Sequence, residues 1–394
     1  MKFHYADRVA GMQSSAIREI LKITQQPDVI SFAGGMPAPD TFPVAELREA
    51  VNYILTEHGA EALQYGVSEG YAPLRAWIAE RMQGKGMDCK PENIFISAGS
   101  QQVLDFTGKI FLNPGDKVMV ESPVYLAAVQ AFRAYQAEFV AVPADNQGMD
   151  TTALAEKVAA ANPKLIYINP TFENPRGTTL PAERRAKVAQ IAAAYQVPVI
   201  EDDPYGELRF EGPPLPPLKS FPGGEWVIHM SSFSKIISPG LRVGWAVADT
   251  DIIRKLTMAK QASDVHTNSL AQQAIHRYLS TNDLAAHIRR ITDIYRVHRD
   301  TMLAEMETHF PAACKWRKPA GGMFIWVALP PGADATALLS KAVAEKVAFV
   351  PGAPFYAAER AAENTLRLNF SNSSPDQIRI GIRRLGMLLR QELG

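Results

Sequence analysis

Cysteine is almost absent from this 394-residue chain: Cys89 and Cys314 stand far apart and form no CxxC spacing. A disulfide scaffold and a cysteine-rich zinc site are therefore excluded, and the pattern suits a reducing compartment. Net charge is absent as well, because 41 Lys and Arg residues balance 41 Asp and Glu residues. A polyanion held by counterion release needs a basic face, so no nucleic-acid partner is expected, and neither is an acidic disordered tail. No apolar run is long enough to span a bilayer. The opening residues MKFHYADRVAGMQ lack the apolar core of a secretory signal. These absences lead to the expectation of a soluble, cytoplasmic protein with no membrane partner. What the chain does contain is an ordinary globular composition, 47% hydrophobic and 21% charged, in a length that buries a core without staples.

Short apolar runs alternate with helix-like stretches through the middle of the chain. Strands are expected at 93–97, 117–121, 138–142, 165–169, 198–202, 226–230 and 243–248, with helices at 101–111, 124–135, 151–161 and 181–195. Strand–helix–strand alternation at this spacing implies a mostly parallel sheet covered by helices on both faces. Runs such as LIYIN and PVIED are apolar throughout and end in polar residues, which is how a strand buried on both faces reads. Proline clusters at 34–43 and 211–224 punctuate this block. Beyond residue 284 the pattern changes to a long charged helix at 287–309, a Gly-Gly turn, the strand MFIWVAL, a helix near 334–346 and the strand LRLNFS. The expected fold class is thus α/β: a large domain with a mostly parallel seven-stranded sheet flanked by helices, beside a smaller α+β domain.

Ligands of an open α/β sheet sit outside the carboxyl ends of its strands, and those ends carry the chemistry here. Gly99-Ser100-Gln101 opens a helix, where free N–H groups and the positive dipole end favour a phosphate; a plain N-cap is the alternative. Arg242 suits the same phosphate, or is an ordinary surface arginine. Asp202 ends an apolar strand, where a carboxylate needs a cationic partner; a protonated pyridine nitrogen is one such partner, and a buried salt bridge is another. Lys235, bracketed by Ser232 and Ser234 and followed by Pro-Gly-Leu-Arg, stands out from lysines that are merely solvated. A lowered pKa would make its amine a nucleophile for carbonyls. A phosphate cradle, an anion for a pyridine ring and a Schiff-base lysine together describe a pyridoxal phosphate site.

The chain resembles the fold-type I pyridoxal-phosphate-dependent aminotransferases of class I/II, and most of all the 2-aminoadipate, kynurenine and aromatic aminotransferase branch. The resemblance rests on SFAGGMPAPDTFP (31–43), LQYGVSEGYAPLR (63–75), SAGSQQVLD (97–105), ESPVYLAAV (121–129), NPTFENPRGTTL (169–180), EDDPYGELRF (201–210), SSFSKIISPGLRVGW (231–245) and LRLNFS (366–371). These motifs run in family order over nearly the whole chain. The resemblance implies that pyridoxal 5'-phosphate is the cofactor and that Lys235 binds it covalently and moves the proton. Asp202 would hold the pyridine nitrogen, Asn174 and Tyr205 the phenolic oxygen, and Tyr125 would stack on the ring. Ser100, Gln101, Ser232 and Arg242 would hold the phosphate, joined by Tyr65 from the partner subunit of a homodimer with shared active sites. Arg367 would grip the substrate α-carboxylate. The implied division is an N-terminal arm with part of the small domain at 1–44, the cofactor-binding domain at 45–285 and the C-terminal small domain at 286–394.

Two residues depart from the family pattern: Glu173 stands where glutamine is common, and Arg176 where threonine is common. In the branch resembled, an N-terminal segment folds over the site. Here that is 14–24, where Arg18 would pair with a distal substrate carboxylate or lie on a helix surface, while Gly34-Gly35 contacts substrate. The expected reaction is ping-pong transamination between an L-amino acid (2-aminoadipate, aromatic or branched-chain) and 2-oxoglutarate. Another pyridoxal phosphate reaction on the same scaffold, a β-lyase or decarboxylase, is the alternative. A regulator that uses such a domain as an effector sensor needs an N-terminal winged-helix module, and motifs beginning at residue 31 leave no room for one.

Overall fold

The computed structural model describes residues 3–9, 11–12, 28–357 and 362–393. The strands, in chain order, are β1 (Ile30–Ser31), β2 (Ile94–Ser97), β3 (Lys117–Ser122), β4 (Glu138–Asp145), β5 (Gly148–Met149), β6 (Leu165–Ile168), β7 (Val199–Asp202), β8 (Val227–Ser232), β9 (Gly244–Val247), β10 (Lys315–Trp316), β11 (Phe324–Ala328), β12 (Val347–Ala348), β13 (Val350–Pro351) and β14 (Thr365–Asn369). The large sheet has the order β2-β9-β8-β7-β6-β3-β4-β5. The pairs from β4 through β8 that join β4, β3, β6, β7 and β8 are parallel, and β9 runs antiparallel to both β8 and β2. All seven expected strands are present. The eighth, β5, is a two-residue return that pairs with the end of β4, too short to carry a period in the sequence.

The strands are apolar throughout because successive side chains enter different cores. Val118, Val120, Leu165 and Tyr167 pack with the helices Ser100–Phe111 and Leu126–Arg133 on one face. Met119, Ile166 and Ile168 pack with Thr151–Ala161 and Ala182–Tyr195 on the other. Burying a strand on both faces leaves only its end open to a ligand.

A second sheet, β10-β11-β14-β13, is antiparallel. The helices Leu284–His309 and Pro375–Leu393 pack over it through Ile291, Tyr295, Met302, Ile378, Ile382 and Leu385. Phe172, Tyr205 and Leu208, which follow strands of the large sheet, belong to this same core. The two sheets therefore share a wall at the carboxyl ends of β6 and β7. Strand β1 pairs in parallel with β12, tying the segment around Ile30 to the C-terminal region. Among the described residues, no helix is long and apolar enough to cross a membrane.

Candidate active site

The polar ends of the parallel strands open into one cavity of about 1050 Å³. Strand β7 delivers Asp202 to its floor, where the residue is almost fully buried. Its Oδ2 accepts the Tyr167 hydroxyl hydrogen bond at 2.8 Å, and its backbone carbonyl accepts one from the Asn169 side chain. Its Oδ1 is buried with no hydrogen-bond partner among the described residues. Burial pushes this carboxyl up to about 7, against the lowering effect of the Tyr167 bond. The salt bridge on this strand belongs instead to the neighbouring Glu201, which pairs with His229 at 3.0 Å. An orphaned buried carboxylate oxygen is costly unless a ligand completes it.

Lys235 ends a tight turn after β8 that begins when the Ser232 hydroxyl accepts from the Ser234 N–H at 3.0 Å. Its Nζ donates to the Gly35 carbonyl at 2.8 Å. Burial, reinforced by the nearby charges of Arg242 and Arg367, brings the ammonium down to about 8. A neutral amine is thus accessible near physiological pH, as a carbonyl nucleophile requires.

The helix Ser100–Phe111 begins after Gly99, held at φ +78°, and has no side-chain cap. Helices starting after Asp150, Asp249, Asn268, Asp283 and Asp334 are all capped by those side chains. Gly99 is itself the N-cap, as the plain reading had it, and Ser100 lies inside the first turn, so no side chain caps this helix start. A Cβ on Gly99 would collide with the Arg242 guanidinium. Arg242 itself takes a left-handed φ of +52°, an uncommon conformation for a non-glycine residue, and donates to the Ala98 carbonyl at 3.3 Å. A cation is thereby held beside free helix N–H groups.

Strand β14 brings in the buried Arg367. Its Nη1 donates to Asn174 Oδ1 at 2.6 Å and its Nη2 to the Ala33 carbonyl at 2.7 Å. The guanidinium lies over Phe324 and Phe355, with its carbon 4.3 and 5.2 Å from the ring centres. Burial brings its pKa down to about 10, opposed by Tyr205 and Tyr125. Asn174 Nδ2 lies 3.5 Å from the Tyr205 hydroxyl. Burial pushes the Tyr125 hydroxyl up to about 12, so it is neutral near pH 7.

The cavity wall includes Gly35, Ser100, Gln101, Tyr125, Asn174, Asp202, Tyr205, Ser232, Lys235, Arg242 and Arg367. Tyr65 is not on that wall: it is 80% exposed and meets His266 edge-on. Arg18, with the whole of 14–24, lies outside the described residues. Sequence reading had singled out neither Asn169, Tyr356 nor Tyr167. The first two line the cavity, and Tyr167 orients Asp202 from beneath it. Tyr167 sits mid-strand opposite Ile200, and its polar task shows only in the hydroxyl that reaches Asp202, two residues further along β7.

Each wall meets one need of a single ligand. The uncapped helix start with Arg242 suits a phosphate, the free Asp202 Oδ1 suits a protonated ring nitrogen, and the Lys235 amine suits an aldehyde. A phosphorylated pyridine aldehyde has all three groups, so the residues fit pyridoxal 5'-phosphate on a transferase of the α/β class. The chain belongs to the aminotransferase class I and II family, whose model matches residues 27–385. It is an aminotransferase, and pyridoxal 5'-phosphate is its cofactor. It is 43% identical to the aromatic-amino-acid aminotransferase 1 of Thermococcus litoralis, over 99% of this chain and 95% of that one. The Pyrococcus horikoshii kynurenine aminotransferase, solved in complex with PMP, superposes with a TM-score of 0.94 at 42% identity, over 99% of this chain and 98% of that one. LysN, the alpha-aminoadipate aminotransferase of Thermus thermophilus, solved with N-(5'-phosphopyridoxyl)-L-leucine, gives a TM-score of 0.91 at 41% identity, over 98% of this chain and 97% of that one.

Proposed function

We propose that the enzyme moves the amino group of an L-amino acid (2-aminoadipate, aromatic or branched-chain) to 2-oxoglutarate in a ping-pong cycle. The observation that carries this reading is the Arg367–Asn174 pair at 2.6 Å, which holds a buried guanidinium on the wall of the cavity that Lys235 also lines. A guanidinium fork matches a carboxylate, and both an amino acid and its oxo acid carry one. Pyridoxal phosphate, when bound, supplies an electron-accepting ring and the carbon that carries the amino group between substrates.

The chain's own residues do the rest. Ser100, Gln101, Ser232 and Arg242 would hold the phosphate, with the helix N-terminus behind them. Asp202, kept in place by Tyr167, would hold the pyridine nitrogen. Asn174 and Tyr205 would hold the phenolic oxygen, and Tyr125 would pack against the ring. Lys235 would bind the cofactor through its amine and move a proton at the substrate α-carbon, for which its lowered pKa suits it. Arg367 binds the carboxylate, and Gly35 lies against the substrate. Arg18 pairs with a distal carboxylate when the substrate has one.

Exposed Leu63, Tyr65 and Val67, each at least 60% exposed in the single chain, fit a homodimer in which Tyr65 reaches the partner's phosphate. We place the enzyme in the cytoplasm and divide it at residues 44 and 285. The test is to incubate the loaded enzyme with each L-amino acid and 2-oxoglutarate, and to measure oxo acid and glutamate. Equal yields with parallel double-reciprocal lines are expected. Ammonia or carbon dioxide released without 2-oxoglutarate would instead establish a lyase or decarboxylase.

A further inference from the structure

The two departures from the family pattern come together behind the cavity wall. Glu121 lies near the end of β3, while Glu173 and Arg176 flank Asn174 in the loop after β6. Their side chains are no more than 10% exposed. Arg176 Nε donates to Glu173 Oε2 at 2.9 Å, and Nη2 lies 2.7 Å from that same oxygen and 3.5 Å from Glu121 Oε1. Nη1 donates to the Asp145 carbonyl at 3.1 Å, on β4, and Thr178 Oγ1 donates to Glu173 Oε2 at 2.6 Å. One side chain therefore fastens the loop to two strands.

Two carboxylates share a single guanidinium in this cluster. Burial, then the charge of Glu173, pushes the Glu121 carboxyl up to about 8, against the lowering effect of Arg176. The loop held in this way is the one that presents Asn174. The Asn174 N–H is fixed by Asn169 Oδ1 at 2.9 Å, and its side chain lies between Arg367 and Tyr205. Arg176 does not line the cavity; it reaches the site through the loop that presents Asn174, and the cavity-lining Tyr356 also lies within its electrostatic range.

We propose that Arg176, by bridging Glu173 and Glu121, is a positioning residue for the Arg367–Asn174 grip on the substrate carboxylate. The proposal rests on Arg367 being the carboxylate anchor. The same cluster explains why the two departures occur as a pair: a glutamate in place of glutamine leaves a buried negative charge unless an arginine replaces the threonine.

The test uses the full-length, cofactor-loaded enzyme and four variants: Arg176→Thr, Arg176→Lys, the double Glu173→Gln/Arg176→Thr, and Arg367→Ala as control. Calorimetric Kd for 3-phenylpropionate, a carboxylate without an amino group, is measured beside KM, kcat, cofactor affinity and Tm. Arg176→Thr is expected to raise KM and the inhibitor Kd about tenfold with kcat changed less than about threefold and cofactor affinity unchanged. Lys is expected to recover part of the loss, and the double variant to return to within about threefold of the parent, because it removes both charges together. The proposal is overturned if Arg176→Thr lowers Tm while KM and Kd stay within about twofold, or if the double variant is no better than the single. If Arg367→Ala also leaves the inhibitor Kd unchanged, the carboxylate-anchor reading itself fails, and that result is separable from failure of the clamp alone.

Discussion

Glu201 and Asp202 are consecutive residues on β7, both almost fully buried, yet their surroundings are opposite. Glu201 has partners for both oxygens. Oε1 accepts from the Leu218 N–H at 2.6 Å, and Oε2 accepts from the Lys219 N–H at 3.2 Å and lies 3.0 Å from His229 Nδ1. Burial opposes its ionisation, but His229, Arg185 and the Leu218 amide outweigh burial and hold the carboxyl below its usual range. Asp202 has Tyr167 on one oxygen and, among the described residues, nothing on the other, and its carboxyl rises to about 7. Burial alone therefore does not mark a functional carboxylate. An unpartnered oxygen on a residue that lines the cavity does, because a ligand can complete it there.

The largest expected effect comes from removing the unfinished member. Asp202→Ala should lower kcat/KM by about a thousandfold or more, since the charge it would stabilise develops in the transition state, while Tm of the cofactor-free protein holds or rises. Lys235→Ala should abolish turnover. Retained turnover in Asp202→Ala would break the comparison, because Asp202 would then be as passive as its neighbour, while retained turnover in Lys235→Ala would remove the role given to Lys235.

Glu201→Ala is expected to act in the opposite way. Removing one member of a buried, hydrogen-bonded pair costs about 3–5 kcal/mol of stability, with kcat per folded molecule little changed. Denaturant unfolding paired with active-site titration checks this. A variant that folds normally but is inactive would show that Glu201 serves the chemistry after all.

The two carboxylates also predict pH slopes of opposite sign in the cofactor-free protein. Asp202 has a folded pKa raised above its usual 3.8 to about 7. Its contribution to stability is fully present below the unfolded value and is lost as pH rises through about 7. Glu201 has a lowered folded pKa, so its contribution is present above the unfolded value and is lost as pH falls through the folded one. Tm measured from acid to neutral pH should therefore lose its neutral-side decline in Asp202→Asn and its acid-side decline in Glu201→Gln. A parallel prediction applies to Lys235: recapture of cofactor by the apoenzyme should accelerate with pH and level off above about 8, where the amine is neutral.

The contrast also shows where sequence reading stops. The strands of the large sheet were legible because each feeds two cores, and Ser100, Asp202, Lys235 and Arg242 because they follow or close strand ends. The roles of Tyr125, Asn174, Tyr205 and Arg367 rested on the family resemblance, and several long helices, such as Val44–Glu57 and Ser269–Thr281, were not expected. Asp202 was readable as a carboxylate in need of a partner, but nothing in EDDPYG distinguishes it from Glu201 one residue earlier. That distinction comes from Leu218, Lys219 and His229 on one side of β7 and Tyr167 on the other, all distant in sequence. The pairing of Glu173 and Arg176 was likewise visible as two departures, but the third member, Glu121, enters only when β3 lies beside β6. Tyr65 lies off the cavity wall in the single chain, with its side chain exposed.

The smallest expected effect sharpens the comparison most. In Tyr167→Phe the Asp202 carboxylate loses its one side-chain partner, and the bond lost is at 2.8 Å in a buried setting. The hydrogen bond favours the ionised form, so its removal should raise the Asp202 pKa further and weaken its hold on a ring proton. A charge-assisted hydrogen bond contributes about 1.5–3 kcal/mol, part of which the bound cofactor's own proton would replace, so a loss of about tenfold in kcat and a weaker cofactor affinity are expected. The informative measurement is the pH dependence of the bound cofactor's absorbance, which should move in Tyr167→Phe and stay fixed in Glu201→Gln. If Tyr167→Phe leaves both the pH titration and the cofactor affinity unchanged, Asp202 is held by its strand alone, and the difference between the two neighbouring carboxylates reduces to which face of β7 each one occupies.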